Sequence, residues 1–275
     1  LVQLTHGTVP NGSVEEALEA GAAHADWTIV IAPETNGRLE LLAERVAAVG
    51  GRLLGPDPDA IRLAADKAAM AQHWHSLGVN TPATWIIDEA PSDRTLVVKP
   101  RDGAGSQAMG LGRLDDLDIE ALRRQADRPL IAQEYISGVA ASVAFLIGRD
   151  ERRRLPACAQ QLSADGRFRY LGGRVPLPPS LGERAAAIAA QAVAAVPGLF
   201  GYVGVDVVLG DDGRDWAIEL NPRFTTSYVG LRALAAGNLM KTLLDLAEGR
   251  PSPPEAWKPG IITFTASGGI DYSPD

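Results

Sequence analysis

The sequence has few of the features that mark disulfide-rich, membrane or nucleic-acid-binding proteins. Cys158 is its single cysteine, so an internal disulfide framework is excluded. No apolar run approaches the roughly 20 residues that cross a bilayer. Lys and Arg number 26 against 34 Asp and Glu, and the net charge of −8 disfavours nucleic acid and anionic membranes as partners. We therefore expect a cytoplasmic protein that acts on small molecules.

Familiar nucleotide and metal motifs are also missing or out of context. No GxxxxGK[ST] string occurs, which excludes a P-loop. Residues 103–108 (GAGSQA) match a GxGxxA dinucleotide pattern, but Gly110 and Gly112 follow where the helix of that motif should run. His73 and His75 lie two apart in a predicted helix and face different directions, so joint metal binding is not expected.

Hydrophobic periodicity predicts a mixture of α/β and α+β structure. Helices are predicted over residues 13–25, 37–49, 66–77, 118–126, 183–196 and 238–248. Strands are predicted over 27–32, 52–54, 83–87, 95–99, 130–136, 141–148, 153–163, 202–209, 215–221 and 261–266, with loops at 172–182 and 249–260.

These elements suggest three units: a small N-terminal βα domain (1–65), a small α+β lobe (66–129) and a larger antiparallel α+β lobe (130–275). The chain begins with Leu1 and the first unit is short, so we expect this domain to be truncated. Composition does not reveal an oligomeric interface, so a homo-oligomer is neither predicted nor excluded.

The most informative segment is DVVLGDDGRDWAIELNPR, in which an Asp-Gly turn joins two strands. Glu219 and Asn221 are two residues apart and share a face of the second strand, and the hairpin brings Asp206 beside them. Three hard oxygen ligands predict a magnesium site shared with the phosphates of a nucleotide. Arg223 follows directly and would hold developing phosphate charge. The alternative is a surface hairpin with unrelated acids.

A second segment, TLVVKPRDGAGSQAMG, is a strand that ends at Lys99 and is followed by a glycine-rich loop. Backbone N–H groups at Gly103, Gly105 and Ser106 could hold phosphate while Lys99 neutralises its charge. Lys67, at the start of a predicted helix, is a second candidate cation, although a helical lysine is more often solvated.

Two further segments complete the candidate site. The strand 130–136 (LIAQEYI) is followed by Gly138 and could offer backbone groups to an adenine edge between two lobes. Arg174, in the segment GGRVP, has two interpretations. It binds the carboxylate of an acid substrate or an acyl phosphate formed from that carboxylate, or it is a solvated turn residue.

The order of these motifs resembles the ATP-grasp superfamily over roughly residues 52–248. The matching pieces are Asp66-Lys67, Val98-Lys99-Pro100 with its glycine loop, Gln133-Glu134-Tyr135-Ile136, and Asp206 with Glu219-Leu220-Asn221. The resemblance implies an ATP-grasp fold, with a small N-terminal βα domain and two α+β lobes that sandwich ATP.

By position, the resemblance also implies site roles. Lys67 and Lys99 would contact phosphates, adenine would lie at residues 134–136 after Gln133, and Mg²⁺ would bind Asp206, Glu219 and Asn221. Many family members hold ribose with a glutamate just after the hinge glycine. Residues 138–142 (GVAAS) contain no acid, so ribose binding stays unassigned.

Within the superfamily, the segments APET (32–35) and NPRFTTSY (221–228) are similar to the tyramine–glutamate ligase group, whose known member serves methanofuran synthesis. This similarity implies an ATP-dependent ligase that joins glutamate to an arylamine precursor of a one-carbon carrier coenzyme. Two alternatives remain: a nucleotide-binding module without turnover, and an ATP-grasp enzyme with a thiol acceptor.

Overall fold

The computed structural model describes residues 13–103 and 108–274. Its N-terminal domain contains α1 (Val14–Ala22), α2 (Arg38–Ala48) and α3 (Pro58–Ala65). Ser13 begins α1 with the predicted capping box: its Oγ accepts from the Glu16 backbone N–H at 3.1 Å, and its own N–H donates to the Glu16 carboxylate at 3.2 Å. A small core of Leu39, Ala43 and Ile61 joins α2 to α3.

The two strands predicted in this domain are wrong in extent. Within the described residues, segments 27–32 and 52–54 meet in one parallel bridge, between Thr28 and Leu53. A pair of short strands is marginal without further strands beside it. The helix α3 was not predicted, although Asp57 caps it and Pro58 occupies its first turn.

The small lobe is built on a four-stranded antiparallel sheet in the order β1-β4-β2-β3. Its elements are β1 (Thr84–Ile86), β2 (Leu96–Pro100), β3 (Gly110–Gly112), α5 (Ile119–Ala126) and β4 (Leu130–Glu134). The sequence analysis assigned β4 to the large lobe, and this is wrong because β4 pairs with both β1 and β2.

The helix α4 (Lys67–Ser76) was assigned to the small lobe but packs on the large one. Trp74 is fully buried, and its indole N–H donates to the Ala192 carbonyl at 3.0 Å. Met70 and Trp74 belong to the core of the large lobe. The predicted boundaries were placed at gaps between elements in the sequence. For both α4 and β4, these packing partners lie across such a boundary.

The large lobe contains an eight-stranded sheet in the order β10-β9-β5-β7-β8-β11-β12, with β6 paired to β5. Its strands are β5 (Gly138–Ile147), β6 (Arg152–Arg154), β7 (Cys158–Leu162), β8 (Tyr170–Val175), β9 (Gly201–Gly210), β10 (Asp215–Asn221), β11 (Ile261–Thr265) and β12 (Ile270–Ser273). The helices are α6 (Pro179–Ala194), α7 (Ser227–Leu234) and α8 (Leu239–Ala247). The strand pairs are antiparallel, as predicted.

Two predictions in this lobe are corrected. The single strand predicted over 153–163 is two strands, β6 and β7, separated around Pro156. The loop predicted over 172–182 instead contains the end of β8 and the start of α6. Gly172 and Gly173 mark close strand contact rather than a turn, because a Cβ at Gly172 would collide with the Phe264 carbonyl of β11.

The eight-stranded sheet has a core on each face. The helix α6 covers one face with an alanine-rich surface, and α7 and α8 cover the other. At its end nearest the small lobe, the second face carries the polar side chains described next. Among the described residues, none of the helices has the length and apolarity that a membrane span requires.

Candidate active site

A cavity of about 680 Å³ lies between the two sheets. This volume falls within the range of small-molecule sites, roughly 300–1,000 Å³. Its lining includes residues from each of the four motifs that resemble the ATP-grasp superfamily. The predicted residues that line it are Lys67, Lys99, Gly103, Gln133, Glu134, Tyr135, Ile136, Asp206, Glu219, Asn221 and Arg223.

The acidic residues come from the hairpin of β9 and β10. Asp206 and Glu219 are cross-strand partners, with a bulge between Ala217 and Glu219. The Asn221 amide donates to Asp206 Oδ2 at 3.2 Å. The three predicted metal ligands are thus adjacent in the structure.

Asp206 is held by a residue that the sequence analysis missed. Gln160 of β7 donates its amide to Asp206 Oδ1 at 2.9 Å. Burial and the nearby charge of Glu219 raise the pKa of Asp206 to about 7, although the Asn221 hydrogen bond opposes this rise. The ionised form of Asp206 is therefore disfavoured beside Glu219 in this structure.

Lys67 and Lys99 face this pair. Lys67 is the first residue of α4, and its Nζ donates to the Gly103 carbonyl at 2.7 Å and lies 3.2 Å from Glu219 Oε1. Its side chain is only 8% exposed, so the solvated alternative for this lysine is wrong. Lys99 is buried near the end of β2, and its Nζ donates to Gln133 Oε1 at 2.8 Å.

Burial, together with the charge of the neighbouring Lys67, lowers the pKa of Lys99 to about 8, although the charge of Glu219 opposes this shift. A buried cation with few counter-charges favours an anionic ligand such as phosphate. Gln133 does not face the cavity as a free amide, because its Nε2 donates to Thr84 Oγ1 at 2.9 Å while its Oε1 accepts from Lys99. Its contribution is to position Lys99.

The start of the glycine-rich loop is fixed by close contacts. Asp66 caps α4 and binds Arg101 through both carboxylate oxygens, at 2.8 and 2.6 Å. Gly103 has φ +93°, and a Cβ there would lie 2.6 Å from Arg128 Nη1 and 2.8 Å from Thr35 Oγ1. Only glycine fits this position without rearrangement. Gly105 and Ser106, also predicted to bind phosphate, lie outside the described residues.

The predicted adenine segment lies at the junction of the lobes. The Tyr135 N–H donates to the Thr95 carbonyl at 3.2 Å, which fixes the chain as it leaves β4. The Tyr135 ring lies 6.2 Å from the Phe168 ring, centroid to centroid, and both residues line the cavity. Phe168 was not predicted, and two facing aromatic residues are suited to a planar base.

Arg223 lines the cavity beside the acidic pair. Its Nε lies 2.9 Å from Glu34 Oε1, and its Nη2 donates to Glu34 Oε2 at 3.2 Å. Glu34 is 4% exposed and comes from the N-terminal domain. The segments APET and NPRFTTSY therefore meet in space.

Arg174 is not where the acid-binding prediction requires it. It is exposed in β8 and pairs with Ala159, whereas its neighbour Gly173 pairs with Gln160. Successive strand residues face opposite sides, and Gln160 reaches Asp206, so Arg174 faces away from the acidic pair. The prediction is wrong because the segment is a strand rather than a loop, which sets the direction of the side chain.

The acidic hairpin fits a divalent cation that is shared with substrate. Across the described ranges, no cluster of three or more His, Cys, Asp and Glu side chains has the arrangement of a metal site. Two carboxylates and one amide oxygen are too few for an octahedral ion, but they suit Mg²⁺ that is also bound by phosphate oxygens and water. The raised pKa of Asp206 is a cost that such an ion would relieve.

The fold and this site define a protein of two lobes with a polar cavity between them, and comparison with known proteins gives the family. Residues 64–227 match the model of an ATP-grasp domain, and residues 4–61 match that of a pre ATP-grasp 3 domain. The chain therefore belongs to the ATP-grasp family. The predicted ATP-grasp fold and family membership are confirmed.

The curated relatives include two kinds of ligase. The tyramine–L-glutamate ligase of Methanocaldococcus jannaschii is 29% identical over 207 residues, which cover 75% of this chain and 58% of that protein. The D-alanine–D-alanine ligase of Gloeobacter violaceus is 27% identical over 223 residues, which cover 74% and 73% respectively. The chain thus spans between half and two thirds of the length of the archaeal tyramine–glutamate ligase.

Solved structures give the same fold. An ATP-grasp superfamily protein of Archaeoglobus fulgidus is 27% identical, with a TM-score of 0.68 over 91% of this chain and 72% of that one. The biotin carboxylase domain of a 2-oxoglutarate carboxylase from Hydrogenobacter thermophilus, solved with MgADP and bicarbonate, has a TM-score of 0.76 over 90% of this chain and 60% of its own. Its identity is 17%, so it shows the fold alone.

Proposed function

We propose that this protein is an ATP-dependent ligase that joins the carboxylate of an amino acid to an amine. The observation that carries the proposal is the pairing of Asp206 with Glu219, faced by Lys67 and Lys99 within one cavity between two lobes. Both kinds of curated relative are named for joining an amino acid to an amine-bearing molecule. This agreement supports the substrate class.

The chemistry requires an activated acid, because oxide and hydroxide are poor leaving groups at neutral pH. A carboxylate oxygen attacks the γ-phosphorus of ATP, and the bond from phosphorus to the β–γ bridging oxygen breaks to release ADP. The amine nitrogen then attacks the acyl carbon, phosphate leaves, and the nitrogen loses a proton. No protein nucleophile is needed, which agrees with a buried Cys158 whose thiol pKa is raised by burial.

The residues of the cavity divide this work. Lys67 and Lys99 hold the β- and γ-phosphates, and Arg223 stabilises charge on the transferring group. Mg²⁺ bound by Asp206, Glu219 and Asn221 would neutralise the phosphate oxygens. Tyr135 and Phe168 flank the base, and backbone groups of 134–136 meet its edge.

For the substrates, we propose glutamate as the acid and an arylamine such as tyramine as the acceptor, so that the product is a precursor of a one-carbon carrier coenzyme. The support is the combination of the segments at 32–35 and 221–228, which meet at Arg223, with the similarity to tyramine–glutamate ligases. D-Alanine as both acid and amine is the second candidate, since D-alanine–D-alanine ligases match a comparable share of the chain.

The test is release of ADP and phosphate from ATP and Mg²⁺ in the presence of paired acids and amines. Glutamate, D-alanine and other amino acids are combined with tyramine, D-alanine and a thiol such as coenzyme A. Phosphate release that requires both an acid and an amine supports the ligase, and mass spectrometry of the amide names the pair. Release with the thiol alone supports the thiol-acceptor alternative. Tight binding of MgATP without turnover for any pair supports the non-catalytic module.

A variant tests the acidic hairpin separately. Glu219→Ala is expected to abolish ATP consumption while the protein stays folded, because a ligand of Mg²⁺ serves phosphate chemistry rather than the core. Asp215→Ala, near the other end of β10, is the control, because Asp215 pairs with Arg184 outside the cavity lining. Turnover in the Glu219 variant at the wild-type rate would exclude the metal assignment.

A further inference from the structure

A short segment of the N-terminal domain contacts two walls of the cavity. Glu34 approaches Arg223 at the end of the acidic hairpin, 2.9 Å from its Nε. Two residues later, the Asn36 N–H donates to Asp102 Oδ2 at 2.8 Å, directly before Gly103. Gly103 is in turn the residue whose carbonyl accepts from Lys67. The segment therefore lies between the arginine and the base of the glycine-rich loop.

The contact between Glu34 and Arg223 fixes the direction of the guanidinium group. Glu34 lies along one edge of the group: Nη2 donates to its Oε2 at 3.2 Å, Nε is within ion-pair distance of its Oε1 at 2.9 Å, and Nη1 donates to the Phe224 carbonyl at 3.2 Å. A guanidinium carries five N–H groups, with two hydrogens on each Nη. Among the described contacts, only two of these five hydrogens are engaged, so one hydrogen on Nη1 and one on Nη2 remain for a ligand in the cavity, beside the Nε–H that lies against Glu34.

The burial of this pair argues for a specific role. Side-chain exposure is 5% for Glu34 and 15% for Arg223, so water screens the pair weakly. A buried carboxylate is costly unless a cation is held against it, and a pair of this kind contributes little net stability. What it does provide is a single orientation for two long side chains.

We propose that Glu34 is a positioning residue that holds Arg223 toward the transferring phosphoryl group. The inference rests on the proposed function, in which Arg223 stabilises the charge of that group. Glu34 itself faces Arg223 rather than the reacting atoms. The N-terminal domain thereby contributes to catalysis through the arginine.

The first variant is Glu34→Gln, which keeps the shape of the side chain and removes its charge. We expect kcat to fall on the order of 10- to 100-fold while KM for ATP changes by less than about threefold, since misplacing one group acts on the transition state. Glu34→Asp should recover part of kcat. Glu255→Gln is the matched control, because Glu255 and Arg153 form a pair at 3.1 Å with 11% exposure each, outside the cavity lining. An unchanged kcat in Glu34→Gln, or an equal loss in the control, overturns the proposal.

A double-mutant cycle separates positioning from a general effect on the fold. If Glu34 acts through Arg223, Glu34→Gln should cost nothing further in an Arg223→Ala background. A second loss of about tenfold in the double variant would mean that the two residues act independently.

A readout without turnover keeps this inference separate from the proposed function. The guanidinium N–H resonances of Arg223, assigned by their loss in Arg223→Lys, should exchange slowly with water in the ¹⁵N-labelled wild type, where Nη2 donates to Glu34, and rapidly in Glu34→Gln. If exchange differs in this way but the wild type shows no turnover with any substrate pair, the proposed function is refuted and the positioning of Arg223 by Glu34 is still supported. Equal exchange in the wild type and Glu34→Gln overturns the inference, whatever the activity.

Discussion

Asp206→Asn is expected to stabilise the metal-free protein while it abolishes ATP consumption. The pKa of Asp206 rises from its usual 3.8 to about 7 in the folded protein. Because the pKa of Asp206 is raised in the folded protein, its protonated carboxyl favours the folded state. This contribution to the free energy of unfolding is fully present below pH 3.8 and is lost as the pH rises through 7. Since one pKa unit corresponds to about 1.4 kcal/mol, the ionised carboxylate lowers the free energy of unfolding by at most about 4 kcal/mol at pH 8.

The gain from the substitution is smaller than this limit. Asp206 accepts from Gln160 at 2.9 Å and from Asn221 at 3.2 Å, and an asparagine can keep the first bond but presents an N–H group to the Asn221 amide. Rotation of the Asn221 amide restores the match, at a cost on the order of one hydrogen bond, about 1 kcal/mol. Water in the cavity reduces the effect further, so a gain of about 1–3 kcal/mol at pH 8 is expected.

The assay is denaturant unfolding with EDTA at pH 4.5 and pH 8, beside phosphate release with Mg²⁺. The advantage of the variant over wild type should widen toward pH 8. Asp245→Asn is the control of opposite sign, because Lys241 and Arg250 hold the pKa of that buried carboxyl below its usual range. It should therefore destabilise the protein most at pH 8. A variant at Asp206 that is less stable than wild type at both pH values would refute the reasoning that the ionised Asp206 carboxylate destabilises the metal-free protein.

Two further predictions concern the phosphate side of the cavity. The affinity for ATP, measured by calorimetry, should fall as the pH rises from 7 to 9, because Lys99 loses its proton near pH 8, and Lys99→Arg should flatten this dependence. A pH dependence that is unchanged in Lys99→Arg would assign it to another group. Gly103→Ala should raise KM for ATP and lower stability by about 1–3 kcal/mol, because the position has φ +93° and its Cβ would meet Arg128 and Thr35. Gly37→Ala is the control for the backbone strain alone, because Gly37 has φ +67° and its Cβ would come no closer than 3.9 Å to a neighbouring atom, Glu40 Oε2.

The parts of the site that the sequence predicted are those fixed by local geometry. The Asp-Gly turn sets the hairpin that brings Glu219 and Asn221 close to Asp206, and the bulge between Ala217 and Glu219 then places Glu219 directly opposite Asp206. The strand that ends near Lys99 and the glycine at 103 follow from patterns within a few residues of each other. The periodicity of apolar residues and the chemistry of turns are sufficient to predict the hairpin and the strand that ends near Lys99.

The parts that were missed depend on partners distant in the sequence. Gln160 reaches Asp206 only because β7 pairs with β5 and β5 with β9, an order that periodicity does not reveal. The strand β4 was assigned to the wrong lobe for the same reason, because its pairing with β2 depends on residues distant in the sequence. Arg174 was misplaced because Gly172 and Gly173 indicate a turn by composition, although here they allow strands to approach closely.

Glu34 could act on Arg223 only if the N-terminal domain is held firmly on the large lobe, and several contacts do this. Trp27 stacks on Phe200 with ring centroids 5.7 Å apart, and its indole N–H donates to Glu248 at 2.6 Å. The Asp57 N–H donates to the Gly198 carbonyl at 3.0 Å. These contacts join the domain to the large lobe at points outside the cavity lining. Glu34 and Arg223 are 189 positions apart in the sequence, and these contacts hold the domain and the lobe that carry them against each other.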